Sequence, residues 1–96
     1  MAFLYRLLPP RPTFAQDMSP QEADVMGRHV GYGQDLLDRG VAIAFGPVLD
    51  PRDPWGLGLL ELDDEQKARA IGDGDPAVSS QTCTYEVLPI QLVRRS

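Results

Sequence analysis

The chemistry this chain can do near neutral pH begins with one residue. His29 is the only histidine among 96 residues, and an imidazole changes protonation state in the physiological range. A carboxylate bound to one ring nitrogen fixes the tautomer and makes the other nitrogen the better base. Two acids are candidates. Glu22 lies about two turns before His29 on a similar face of the same predicted helix, too far along the axis for contact. Asp75 follows the second predicted helix, and Pro76 after it pushes its backbone toward extended geometry, which fixes where the carboxylate points. His29 and Asp75 are therefore the candidate catalytic pair. The rival is a structural tie, with Asp75 a turn residue or helix cap. Arg6 and Arg28 are candidate receivers for an anionic group on a ligand. Phe14, Tyr32, Phe45 and Trp55 are candidate apolar walls of its pocket.

Other chemical signals are poor. Cys83, the single cysteine, has no partner for a disulfide or a metal site and sits in a strand pattern, so it reads as a core thiol. Asp73 and Asp75 in D-G-D lack the rest of a calcium loop, including its distal glutamate. Ser79 and Ser80 have no nucleophile elbow around them. G-Y-G at 31–33 and G-D-G at 72–74 lack the context of a phosphate loop. No metal and no cofactor are expected.

The elements that must position the pair are legible in turn. Ala2 to Leu8 predicts a strand, stopped by Pro9 and Pro10. Pro9 to Met18 predicts a loop, in which Phe14 either covers a pocket mouth or pins the loop to the core. Ser19, Pro20 and Glu22 form a capping box, and Val25, Met26, Val30, Leu36 and Leu37 repeat at helical spacing as far as Arg39 and Gly40. His29 thus lies on or beside the buried face. Gly27, Gly31 and Gly33 weaken that helix by about 1 kcal/mol each, and Gly33 leaves room for either a ligand or a close sheet. Val41 to Val48 and Trp55 to Leu62 predict two strands joined through D-P-R-D-P as an antiparallel hairpin. Asp63 is placed to cap a helix running to about Ile71. Thr82 to Val93 predicts a last strand, with Pro89 at an edge or a bulge.

The order strand, helix, strand, strand, helix, strand is α+β and ferredoxin-like: a four-stranded antiparallel sheet with two helices on one face. The other face is left bare. With Phe45 and Trp55 assigned to it, that face is too apolar for a monomer. A homodimer packed sheet to sheet, a dimeric α/β barrel, is the expected partner arrangement, with a small molecule as the possible ligand.

Composition narrows the function further. The chain is 43% hydrophobic with a net charge of −5, enough apolar residues for one small folded domain. The acidic balance and the lack of a basic stripe argue against nucleic acid or an anionic membrane as partner. No apolar run approaches the roughly 20 residues that cross a bilayer. The short apolar N-terminus lacks a leader pattern, and one cysteine suits a reducing compartment, so a cytoplasmic location is expected.

Several motifs, in order, resemble the YCII-related (YciI-like) family: R-H-V at 28–30, D-R-G-V followed by F-G-P-V between Asp38 and Val48, D-P at 75–76, and Y-E-V-L-P at 85–89. The resemblance implies a dimeric ferredoxin-like fold similar to muconolactone isomerases, with a histidine–aspartate site falling on His29 and Asp75. One relative eliminates chloride from a chlorinated hydroxyquinol, whereas most have no established activity. The chain departs from the family after D-P, where A-V-S-S-Q (77–81) replaces an aromatic residue and a glycine-containing turn. The implied function is a cofactor-free lyase or isomerase acting on a small oxygenated molecule. The alternative is a non-catalytic ligand-binding or accessory dimer.

Overall fold

The computed structural model describes residues 1–95. Four strands, β1 (Ala2–Leu8), β2 (Ala42–Val48), β3 (Trp55–Glu61) and β4 (Thr84–Ile90), form one antiparallel sheet in the order β2-β3-β1-β4. The helices are α1 (Phe14–Asp17), α2 (Pro20–Asp38), α3 (Glu65–Gly74) and α4 (Pro76–Ser79). This is the ferredoxin-like architecture.

Register assigns each side chain to a face, because residues directly opposite on neighbouring strands point the same way. One row crosses the whole sheet as Phe45, Gly58, Tyr5 and Val87. It faces the helices, where Tyr5 meets Asp75 and Phe45 meets α2. The neighbouring row on the opposite face runs Ala44, Leu59, Leu4 and Leu88. This face is open and apolar, and Leu88 is exposed on it. Phe45 therefore does not belong to the open face, contrary to the expectation from sequence. The register shift between Ala42 and Ala44 changes the alternation ahead of Phe45 and turns its ring inward. Trp55 does lie on the open face, its ring under the Arg6 guanidinium at 4.6 Å. Pro89 sits in β4, an edge strand, where a missing N–H costs no ladder bond.

α2 starts as its sequence predicts. The Ser19 hydroxyl accepts from the Glu22 N–H at 3.1 Å, and Glu22 accepts from the Ser19 N–H at 2.8 Å. Several boundaries differ from the sequence reading. The segment after Pro12 is not wholly loop: proline bars the helix only up to itself, and α1 makes one turn stapled by Thr13 to Asp17 at 2.6 Å. Asp64, not Asp63, caps α3 by accepting from the Lys67 N–H at 2.9 Å, while Asp63 pairs with the Lys67 ammonium. α3 runs past Ile71 to Gly74. Glycine is required at Gly72, because a Cβ there would lie 2.5 Å from the Tyr85 ring. β4 is also shorter at both ends than the predicted strand.

Candidate active site

Asp75 is the one charged side chain buried among the described residues, 1% exposed. The turn from α3 into α4 puts it there: its backbone is extended before Pro76, and its side chain caps α4 by accepting from the Ala77 N–H at 2.9 Å. Two more donors converge on the same carboxylate. The Tyr5 hydroxyl donates to Oδ2 at 2.9 Å, and His29 Nδ1 lies 2.9 Å from both oxygens. Residues from β1, α2 and the α3–α4 turn thus meet on one group. Each oxygen has its own anchor, Ala77 on Oδ1 and Tyr5 on Oδ2, so the carboxylate cannot swing and the imidazole straddles it. An anionic acceptor at Nδ1 selects the tautomer with the proton on Nδ1 and a lone pair on Nε2. Among the described residues, no side chain is hydrogen-bonded to Nε2.

His29 forms part of the wall of a cavity of about 290 Å³ between α2 and the inner face of the sheet. Phe14, Met26, Val30 and Phe45 supply much of the rest. Two glycines shape this space. A Cβ on Gly33 would stand 2.8 Å from the Phe45 ring, so that ring lies flat against α2. Gly58 lets the Tyr5 ring lean across β3, 3.3 Å from where a Cβ would be. The room left by Gly33 is taken by Phe45, which is to say by the close sheet.

Burial raises three acids of the surrounding core. It drives the Tyr5 phenol far above its ordinary range, reinforced by the Asp75 charge and hydrogen bond. Burial and the same charge raise Tyr32, whose hydroxyl donates to the Ile71 carbonyl at 2.8 Å. The Cys83 thiol is pushed up to about 11, again by burial first and by Asp75 second. At neutral pH all three stay protonated, so Tyr5 is always available as a donor to Asp75.

Of the residues singled out from sequence, His29, Asp75, Phe14, Tyr32 and Phe45 come together around this cavity. Trp55 borders it from the end of β3, but its ring faces the other way. Arg6 and Arg28 lie elsewhere. Arg6 pairs with Glu86 at 3.1 Å on the open face, because it alternates with Tyr5 along β1. Arg28 is exposed and one turn from Asp24, its partner at 3.4 Å. Among the described residues, two polar lining residues escaped the sequence reading, Tyr5 and Arg11. Tyr5 alternates with Phe3 and Leu7, which marks it as buried, and a buried hydroxyl needs a partner; that signal was present. Arg11 carried no comparable signal. It reaches Glu22 through two hydrogen bonds, at 2.8 and 2.9 Å, and the Asp17 carboxylate at 2.8 Å, fastening the 9–18 segment to the start of α2. Asp73 turns away from Asp75 to accept from the Tyr85 hydroxyl, and no cluster of three metal-ligating side chains forms among the described residues.

The fold and the buried pair define a ferredoxin-like protein with a histidine–carboxylate site on a partly open apolar cavity. The chain belongs to the YCII-related domain family, whose sequence profile matches residues 2–91. Among solved structures it is similar to the 5-chloro-2-hydroxyhydroquinone dehydrochlorinase of Burkholderia phenoliruptrix, determined in complex with 2,5-dihydroxybenzoquinone. The TM-score is 0.70 at 18% identity, over 95% of this chain and 94% of that one. No curated protein is a significant match to the chain. No helix among the described residues is long and apolar enough to cross a membrane.

Proposed function

We propose that this protein is a small-molecule enzyme that moves a proton with His29. Nε2 takes a proton from carbon or oxygen of a bound small oxygenated molecule, and Asp75 stabilises the imidazolium that forms. Returning the proton elsewhere on the molecule gives an isomerisation, and expelling a leaving group gives an elimination. The observation that carries this reading is a carboxylate pinned on both oxygens, holding an imidazole at the wall of an apolar cavity. Family membership and the fold shared with a dehydrochlorinase support it. The step uses only side chains of this chain.

The test is a screen for base-promoted elimination and isomerisation on ring compounds, starting with the chlorinated hydroxyhydroquinone named for the structural neighbour. Any activity found should vanish in His29→Ala, with circular dichroism unchanged. A folded His29→Ala that turns over as fast as the parent would overturn the reading.

One observation favours a second reading. Asp75 also caps α4 and joins three elements, which is what a structural tie requires. In an accessory or ligand-binding protein, Asp75→Asn and His29→Ala would lower stability, and no proton-transfer substrate would be found. Under either reading we assign the apolar open face to a homodimer. Leu59→Arg should convert it to a monomer by light scattering, and a monomeric parent would refute the assignment.

A further inference from the structure

The charges around the cavity restrict what it can hold. This inference deepens the reading of the His29 cavity as a substrate site and rests on it. Of the cations expected to receive an anionic group, Arg6 lies across the sheet and Arg28 on the outer side of α2. Among the described residues, the one arginine or lysine that lines the cavity is Arg11, and it is already spent. Its Nε donates to the Asp17 carboxylate at 2.8 Å and Nη1 to Glu22 at 2.9 Å. Nη2 donates to Glu22 at 2.8 Å and to the Asp17 carbonyl at 3.0 Å. A guanidinium has five N–H donors, and these four bonds, with two full counter-charges, leave it little for a ligand. The remaining fixed charge at the wall is negative, the buried Asp75. When His29 carries a proton, Asp75 already balances it at 2.9 Å.

A carboxylate entering this space would lose its water, gain no free cation and face a like charge, and each of these disfavours it. A neutral polar group meets none of these obstacles. Size sets the other limit. An engineered apolar cavity of roughly 150 Å³ takes benzene, and this one, at about 290 Å³, has room for a single ring with a few substituents. We infer that the His29 cavity selects uncharged one-ring molecules and rejects carboxylates of the same shape.

The test compares benzamide with benzoate, which are nearly isosteric and differ by one charge at about pH 7.5. Titrations of the intact protein, followed by NMR, should show benzamide bound at the cavity, with shifts at His29 and Phe45. Benzoate should bind at least about tenfold more weakly. Equal or tighter binding of benzoate would overturn the inference, and so would failure of both compounds to bind. Arg11→Gln should leave the preference unchanged. If it weakens benzoate alone, Arg11 is an anion receptor and the inference fails. The two readings fail separately: a preference for benzamide in a parent protein that turns over none of the screened compounds sinks the enzyme assignment and leaves this one standing, whereas turnover in a parent that binds benzoate as tightly as benzamide sinks this one alone.

Discussion

Removing one oxygen atom from Tyr5 is the sharpest test of how the site is held. Tyr5 is 7% exposed and donates at 2.9 Å to a carboxylate that is 1% exposed. Phenylalanine keeps the ring, so its packing across Gly58 survives and no cavity larger than a hydroxyl is created. What is lost is a hydrogen bond to a charged acceptor, worth about 1.5–3 kcal/mol. Asp75 keeps its contacts with Ala77 and His29, so Tyr5→Phe should cost about 2 kcal/mol. In a domain of this size that is a drop in Tm of about 8–16 °C, measured at equal protein concentrations. The pH dependence gives an independent check. The folded phenol titrates above its unfolded value, so its contribution is complete below about pH 10 and is lost as the pH rises further. The stability gap between parent and Tyr5→Phe should therefore be constant near neutrality and narrow above pH 10. The other tyrosines are common to both proteins and cancel. A gap below about 0.5 kcal/mol, or one that widens in alkali, would refute the reasoning.

Two further perturbations follow from the same structure. Hydrogen bonds from Arg11, and then from the Ser19 backbone, hold the Glu22 carboxyl at about 2, below its ordinary 4.5. Its contribution is complete above about pH 4.5 and is lost as pH falls through about 2; Glu22→Gln should flatten that acid limb in urea titrations, and an unchanged limb would contradict the assignment. Glycines in the helices should divide by surroundings: nothing lies within 4 Å of a Cβ at Gly27 or Gly31, whereas one at Gly72 would strike the Tyr85 ring. Gly27→Ala or Gly31→Ala should raise stability by about 0.5–1 kcal/mol and Gly72→Ala should lower it by about 1–3 kcal/mol, all read from denaturant midpoints.

Local signals were strong where local chemistry decides the structure. The capping box at Ser19 and Glu22, the D-P-R-D-P turn and the proline stop after β1 each act within a few residues, and each appears as the sequence implies. Pairing His29 with Asp75 across 46 residues succeeded because the element order fixes a topology that brings the α3–α4 turn against α2. Phe45 failed for a physical reason: one irregular residue in β2 reverses the face of those beyond it, and no local propensity announces such a shift. The choice between Asp63 and Asp64 as cap fell within the ordinary uncertainty of a helix start, since both reach Lys67. Arg11 was illegible because its role depends on where Asp17 and Glu22 lie in space. The separation of Arg6 and Arg28 from the cavity follows from strand alternation and helix phase, but only once the inner face is known.

The central claim is that Asp75 orients His29 so that Nε2 is the free base facing the cavity. The presence of one histidine makes a direct measurement possible: the ¹⁵N spectrum of the imidazole, recorded with the ring neutral. The predicted result is a protonated Nδ1 and an unprotonated Nε2, with this preference lost in Asp75→Ala. A neutral ring protonated on Nε2 in the parent would contradict the account, because Nδ1 would then have no proton to give Asp75 and no lone pair would point at the substrate.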